Sequence, residues 1–303
     1  MMESIHNSPS TILILGNGFD LDLGLNTSYK AFIDKMYLNT QHPESTNTLI
    51  DAMIKNYKEA NWIDIELFLK DYAKKYKGDV CEKRNIGDEY KKLKKDLCTY
   101  MLLEKYPDSY NTESFAYKIL HKISSLANYH IYTFNYTDLP ELSFVLNLNT
   151  VDSRCVTYIH GNCKNNNIIL GFDECDTIHP DCQIMIKSRD INVNPSIING
   201  IETARNIIFF GLNICNMDYV YFEKLFNEIQ ESFTDKTLLF INQCREDIEA
   251  LNNALADKLK GRGRGILDFR RHAKILMAQT NVPKQDSGIL QHWELNDFIN
   301  KLV

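Results

Sequence analysis

The feature that most constrains this chain is a short apolar run, Thr11–Leu15, that passes without a spacer into Gly16-Asn17-Gly18-Phe19-Asp20. Thr11, Ile12 and Ile14 are β-branched, and no polar alternation interrupts the run beyond Thr11. A strand of this kind is buried on both faces, which is the situation of a parallel sheet covered by helices. Glycines at the exit allow a tight turn and a close backbone approach by a neighbour or a ligand. Backbone N–H groups in such a turn are potential donors to a pyrophosphate. The turn lacks the complete GxGxxG spacing, so the motif alone leaves a plain tight connection open. A helix is expected from about Ser28, with Asn26 or Thr27 as its N-cap.

The same logic applies further along. Strand-like segments recur at Tyr129–Phe134, Val156–Ile159, Ile168–Leu170, Ile207–Phe210 and Thr237–Asn242, with a weaker one at Ala273–Met277. Helical patterns lie at Ser196–Ala204, Tyr219–Ser232 and Arg245–Lys260. Between Ser45 and Ala127 the period changes to that of a helix. Leu49, Met53, Ile54 and Tyr57 share one face, and Tyr90, Leu93, Leu97, Tyr100 and Met101 share another. The expected organisation is an α/β chain with a parallel Rossmann-like sheet and helices on both faces. Residues 1–44 and 128–303 form the nucleotide-binding domain, and residues 45–127 form a helical insertion after the first strand. The lysine cluster Lys91, Lys92, Lys94 and Lys95 reads as a solvated helix face, diluted by acidic neighbours. Gly261-Arg262-Gly263-Arg264-Gly265 reads as a surface turn or a contact for a polyanion.

Composition narrows the function. Acidic residues outnumber basic ones by 40 to 34, for a formal charge of −6, which is unlike a duplex-DNA binder and gives no expectation of a specific nucleic-acid partner. The 8 cysteines include no CxxC pair, so neither zinc nor a disulfide scaffold is expected and no metal is invoked. The polar N-terminus carries no signal-peptide pattern, and the longest apolar run, near Ile207–Leu212, is too short to span a bilayer. A cytoplasmic protein without a membrane partner is expected. Nothing in the sequence fixes the oligomeric state, a homo-oligomer included.

Open parallel sheets bind ligands beyond the carboxyl ends of their strands. The first strand is followed by the glycine turn, the second by Asn135-Tyr136-Thr137-Asp138, and the third by His160-Gly161. Gly171-Phe172-Asp173 follows the fourth, and Gly211-Leu212-Asn213 follows the fifth, with Asp218 beyond. Small and polar residues gathered at strand ends are what a crevice for a small nucleotide needs. Asp20 could cap a helix or accept from a ligand hydroxyl, and Asn135 could hold an Asx turn or contact a sugar. His160 could be a satisfied half-buried histidine, a ribose contact or a general base. His121, His130, His179, His272 and His292 lack such a setting.

These residues carry a family resemblance. Ile12-Leu13-Ile14-Leu15-Gly16-Asn17-Gly18-Phe19-Asp20, followed by Gly24-Leu25-Asn26-Thr27-Ser28-Tyr29 and Phe32, resembles the opening of the AbiH bacteriophage abortive-infection family. Trp62-Ile63-Asp64-Ile65-Glu66, Phe134-Asn135-Tyr136-Thr137, Ile159-His160-Gly161 and Ile169-Leu170-Gly171-Phe172-Asp173 are similar to later blocks of that family, in order. That family in turn resembles sirtuin-like NAD-binding proteins, where a glycine loop, an asparagine loop and a His-Gly pair line one pocket. The resemblance implies NAD as substrate and hydrolysis of its nicotinamide–ribose bond, with Asn135 and His160 as the catalytic pair. It implies that Gly16, Asn17, Gly18, Phe19, Asp20, Tyr136, Thr137, Asp138, Gly161, Gly211 and Asn213 hold the nucleotide. It further implies a phage-encoded trigger as partner. The chain departs from the sirtuin pattern in three respects. It lacks the four-cysteine zinc module of the deacetylases, Thr137 stands where their loop has aspartate, and Asn213 stands where family members often carry serine. A nucleotide-binding sensor or interaction module without turnover is the alternative reading.

Overall fold

The computed structural model describes residues 9–38, 48–60, 63–78, 85–104, 110–172, 178–187, 201–212, 214, 218–259, 266–281 and 288–302. Its frame is one open sheet of 6 parallel strands in the order β3-β2-β1-β4-β5-β6. The strands are β1 Thr11–Leu15, β2 Tyr129–Thr133, β3 Val156–Tyr158, β4 Asn206–Phe210, β5 Thr237–Asn242 and β6 Lys274–Gln279. β1 is central, with Leu13 opposite Ile131 on one side and Ile208 on the other. Two flanking neighbours and two covered faces explain why every residue of β1 is buried.

The two-residue period of the strands sorts the core into two layers. Ile12, Ile14, Ile207, Phe209, Leu238 and Phe240 point to one face. There they meet Leu225, Phe226 and Ile229 of α8 (Glu223–Glu231), Leu251 and Leu255 of α9 (Arg245–Lys258), and Phe269 of α10 (Ile266–His272). Leu13, Leu15, Ile131, Ile208, Phe210, Leu239 and Ile241 point to the other face. They are covered by α1 (Asn17–Asp22), α6 (Phe115–Ser124), α7 (Leu139–Val145) and α11 (His292–Asn300). The chain is thus a helix-covered, Rossmann-like α/β fold, as its apolar strands predict.

A third apolar cluster belongs to α2 (Tyr29–Ile33), α3 (Thr48–Ala60), α4 (Ile65–Lys75) and α5 (Ile86–Glu104). The regular elements among the described residues between 48 and 124 are all helices, and α6 turns its apolar face to the sheet rather than to this cluster. The cluster also takes in Ile168, Leu170, Phe172, Met185 and Ile186 from the segment that follows β3.

Several local expectations are corrected. Ile168–Leu170 is not a strand of the sheet. Its backbone groups are satisfied individually: Ile169 N–H donates to the His160 carbonyl at 2.8 Å, the Ile169 carbonyl accepts from Tyr136 Oη at 3.0 Å, and the Leu170 carbonyl accepts from Tyr90 Oη. The first helix does not wait for Ser28, because α1 begins at Asn17. The helix expected from about Ser28 is α2, and Ser28 itself caps it by accepting from Ala31 N–H at 3.2 Å. The neighbouring Thr27 hydroxyl instead donates to Asn17 Oδ1 at 2.7 Å. Residues 201–203 form a turn rather than the end of a helix, while 196–200 and the Gly261–Gly265 segment lie outside the described residues. Among the described residues no helix is long and apolar enough to cross a membrane.

The exits of β1 and β4 touch backbone to backbone. Gly211 adopts φ +63°, and a Cβ there would lie 2.4 Å from Gly18 Cα and 2.5 Å from Phe19 N. Neither backbone atom can swing aside. Gly211→Ala is expected to destabilise the protein by more than about 2 kcal/mol, from strain and displacement together. Gly288, also at positive φ (+102°), faces open space within 4 Å, so Gly288→Ala should cost only about 1 kcal/mol. Urea midpoints of the two variants make the comparison, and equal losses would remove the close approach as the cause.

Candidate functional site

The glycine turn does not present a row of free amides. Gly16 N–H donates to the Phe210 carbonyl at 2.9 Å, Gly18 N–H to the Gly211 carbonyl at 3.0 Å, and Phe19 N–H to the Gly16 carbonyl at 3.0 Å. These donors hold β1's exit to β4's exit and start α1. The N–H groups of Gly16, Gly18 and Phe19 are therefore engaged within the fold. The glycines allow two backbones to meet, and side chains face the space beyond.

That space is a cavity of about 480 Å³ at the carboxyl ends of β1 to β4, within the size range of small-molecule sites. Of the residues singled out in the sequence, Gly16, Asn17, Asp20, Asn135, Tyr136, His160 and Gly211 line it. β2 and β3 are parallel neighbours, with Thr133 opposite Tyr158, and this register carries Asn135 and His160 to the same mouth.

The other candidates lie elsewhere. Phe19 is fully buried and packs edge-to-face on Phe210, ring centroids 5.5 Å apart, so it is core. Gly18 lies against Gly211 in a small adjoining cavity. Thr137 reaches the site through a hydrogen bond to Asp20 Oδ2 at 2.5 Å. Asp138 caps α7 by accepting from Glu141 N–H at 3.2 Å and pairs with Lys164 Nζ at 2.7 Å. Gly161, at φ +69°, lets the Asn167 carbonyl approach where a Cβ would sit 2.2 Å away. Asn213 lies outside the described residues.

A buried network organises the floor. Asn135, 7% exposed, donates both amide hydrogens inward, to the Gly16 carbonyl at 3.0 Å and to Asp20 Oδ1 at 2.9 Å. The opposite amide orientation would set oxygen against two acceptors, so the network fixes the assignment and leaves Oδ1 as the amide's remaining polar atom. Asp20 is 1% exposed, and burial pushes its carboxyl up to about 6, against the lowering effect of its bonds from Thr137 and Asn135.

The wall opposite comes from residues the sequence did not single out as site residues. Tyr29 of α2 and Asp64, Glu66, Leu67 and Lys70 at the start of α4 line the cavity. Asp64 caps α4, accepting from Glu66 N–H at 2.9 Å. Glu66 forms a buried ion pair with Lys187 at 2.8 Å. Desolvation raises Glu66 to about 7 even though the Lys187 charge pulls it down. The Trp62-Ile63-Asp64-Ile65-Glu66 block was the available signal, but a carboxylate at a helix start reads as ordinary capping.

His160 is 6% exposed, its ring edge-to-face with Phe134 at 5.2 Å. Its Nε2 has no hydrogen-bond partner among the described residues and lies 3.8 Å from Asp218 Oδ1, another residue of the cavity wall. Burial first, then the Lys187 charge, hold its pKa well below the ordinary histidine value. The imidazole is thus neutral at physiological pH and able to accept a proton. Carboxylates, one free cationic wall residue (Lys70 among the described lining) and a neutral imidazole together suit a ligand whose reacting centre gains positive charge.

The pH dependence of stability follows from the signs. Asp20 has a folded pKa of about 6 against 3.8 for the ordinary carboxyl. The folded state holds the proton more tightly, so this stability is complete below about pH 4 and is lost as pH rises through 6. His160 acts oppositely: its folded pKa is depressed, so stability falls as pH drops below about 6.5. Relative to Asp20→Asn, the wild type should lose about 2 kcal/mol of stability between pH 4 and 7. Urea unfolding across that range measures it, and parallel curves for the two proteins would refute the raised pKa.

The model of the bacteriophage abortive-infection family AbiH matches residues 12–240, which run from β1 into β5 and include every described residue of the cavity wall. No curated protein matches the chain. With well over half of its length covered by that match, the chain belongs to the AbiH family of bacteriophage abortive-infection proteins.

Proposed function

We propose that the chain defends its host by hydrolysing NAD to ADP-ribose and nicotinamide, so that an infected cell loses the cofactor that phage replication needs. The observation that carries this reading is the meeting of Asn135 and neutral His160 in one cavity, at the ends of adjacent parallel strands. The nicotinamide–ribose bond breaks through an oxocarbenium-like state, and its positive charge favours a site walled by carboxylates. Asp20, Asp64, Glu66 and Asp218 supply that wall.

Each residue has a task that its geometry suits. Asn135, with its hydrogens committed to Gly16 and Asp20, offers Oδ1 to a ribose hydroxyl or to the attacking water. His160 takes the proton of that water. The Asn17 amide groups and Lys70 are the ones left for the pyrophosphate, because the N–H groups of Gly16, Gly18 and Phe19 are engaged within the fold. Burial of the cavity floor excludes stray water and strengthens these interactions.

His160→Ala is expected to lower nicotinamide release by about 10²–10⁴-fold, the usual effect of losing a general base, in a protein that still unfolds cooperatively. Asn135→Ala should lower it as well, and should also cost about 1–3 kcal/mol, because the Gly16 carbonyl and Asp20 lose a buried donor. Release of nicotinamide from NAD is followed by chromatography on the purified protein, alone and with extracts of infected cells. Undiminished turnover in the His160 variant would remove it from the mechanism. NAD binding without turnover under every condition would favour a nucleotide-binding sensor.

A further inference from the structure

The imidazole of His160 presents an unresolved chemical problem. Its Nε2 is enclosed and has no hydrogen-bond partner among the described residues, a costly condition for a ring nitrogen. Burial and the charge of Lys187 both disfavour the imidazolium. A base in this setting accepts a proton only if some group stabilises the cation at the moment it forms. The groups that share the cavity with it are Asp20, Tyr29, Asp64, Glu66, Lys70, Tyr136 and Asp218, with Lys187 behind Glu66. Asp20 is engaged by Asn135 and Thr137, and Glu66 by Lys187. Asp218 is the carboxylate that faces Nε2, at 3.8 Å.

We infer that Asp218 is the positioning residue for His160: its carboxylate accepts Nε2–H, fixes the imidazole as that tautomer, and stabilises the imidazolium formed during the reaction. The separation of 3.8 Å is longer than a hydrogen bond, and such contacts commonly tighten only when substrate is bound. Asp218 immediately precedes the helical turn Tyr219–Tyr221, and the Phe134 ring lies against both Tyr221 and His160. One aromatic wedge therefore links the segment that bears the carboxylate to the histidine.

The step balances without a further reactant. Water gives a proton to Nδ1, the nitrogen left free when Nε2 carries hydrogen, and the water oxygen forms a bond to ribose C1′. The C1′–N bond breaks, and its electron pair goes to the pyridinium nitrogen, which leaves as neutral nicotinamide. The imidazolium, held by Asp218, then returns its proton to solvent. A carboxylate in this role acts through the histidine and does not touch the substrate.

This inference rests on the hydrolase reading, and its test separates the two. Nitrogen-15 NMR of histidine-labelled wild-type protein reports the His160 tautomer without any turnover, and Nε2–H is expected, with His160→Gln identifying the signal. Asp218→Asn can turn an amide hydrogen toward Nε2 and should reverse the tautomer. It should also reduce kcat for nicotinamide release by about 10²–10⁴-fold while KM changes less than about threefold. An Nδ1–H tautomer in the wild type overturns the pairing, and so does a kcat unaffected by Asp218→Asn. Should the wild type release no nicotinamide, the hydrolase reading fails, while the tautomer still decides whether Asp218 and His160 are paired. Should the Asn variant fail to fold, Asp218→Glu, which keeps the carboxylate, is expected to retain the Nε2–H signal.

Discussion

The contact between the exits of β1 and β4 is the constraint on which the rest depends. Gly16, Gly18 and Gly211 bring two backbones closer than any side chain would allow, with a Cβ on Gly16 falling 2.5 Å from the Gly211 carbonyl oxygen. Two hydrogen bonds, from Gly16 N–H to the Phe210 carbonyl and from Gly18 N–H to the Gly211 carbonyl, then lock the two exits together. Because β1 is central, this junction sets the level at which the loops after β2 and β3 meet the floor. Asn135 is anchored to the Gly16 carbonyl itself, so the position of the amide is inherited from the glycine contact. A shift of the junction would move Asp20, Asn135 and Thr137 together, since all are bonded to one another or to the turn.

Much of this frame was legible in the sequence, for physical reasons that also explain the failures. β1, β4 and β5 are continuous apolar runs, and only a strand covered on both faces tolerates such composition. Ile168–Leu170 has the same look, yet two tyrosine hydroxyls and the His160 carbonyl satisfy its backbone. No one-dimensional pattern distinguishes that from a ladder. α1 escaped notice because its 6 residues are too few to display a helical period. The sequence brought Asn135 and His160 together correctly, since adjacent parallel strands present their ends to one crevice. It overvalued Phe19 and Asp138, whose partners, Phe210 and the α7 amide, are seen only in three dimensions. It passed over Glu66 and Lys187, 121 positions apart, because each alone resembles an exposed charge.

Desolvation unifies the electrostatics of the cavity. Burial is the largest influence on Asp20, Glu66 and His160, and in each it favours the neutral form. Two carboxyls titrating near neutrality and an uncharged imidazole give a site that carries less charge than its composition suggests. A charge developing on a ligand therefore meets few competing fixed ions and little water, which is the condition under which a nearby carboxylate matters most. The Glu66–Lys187 pair serves this balance from the helical side: it supplies a cation close enough to depress His160 while keeping that cation neutralised locally.

Thr137 belongs to the same network. The Thr137 hydroxyl donates to Asp20, and the Asn135 amide donates to the other oxygen of the same carboxylate. The asparagine loop is thus held by a carboxylate of α1. Asp20 ties the asparagine loop to α1, and Asn135 ties it to the Gly16 carbonyl. Chemistry and architecture are therefore inseparable at this residue: the carboxylate that faces the cavity is also the one that holds the two loops in register.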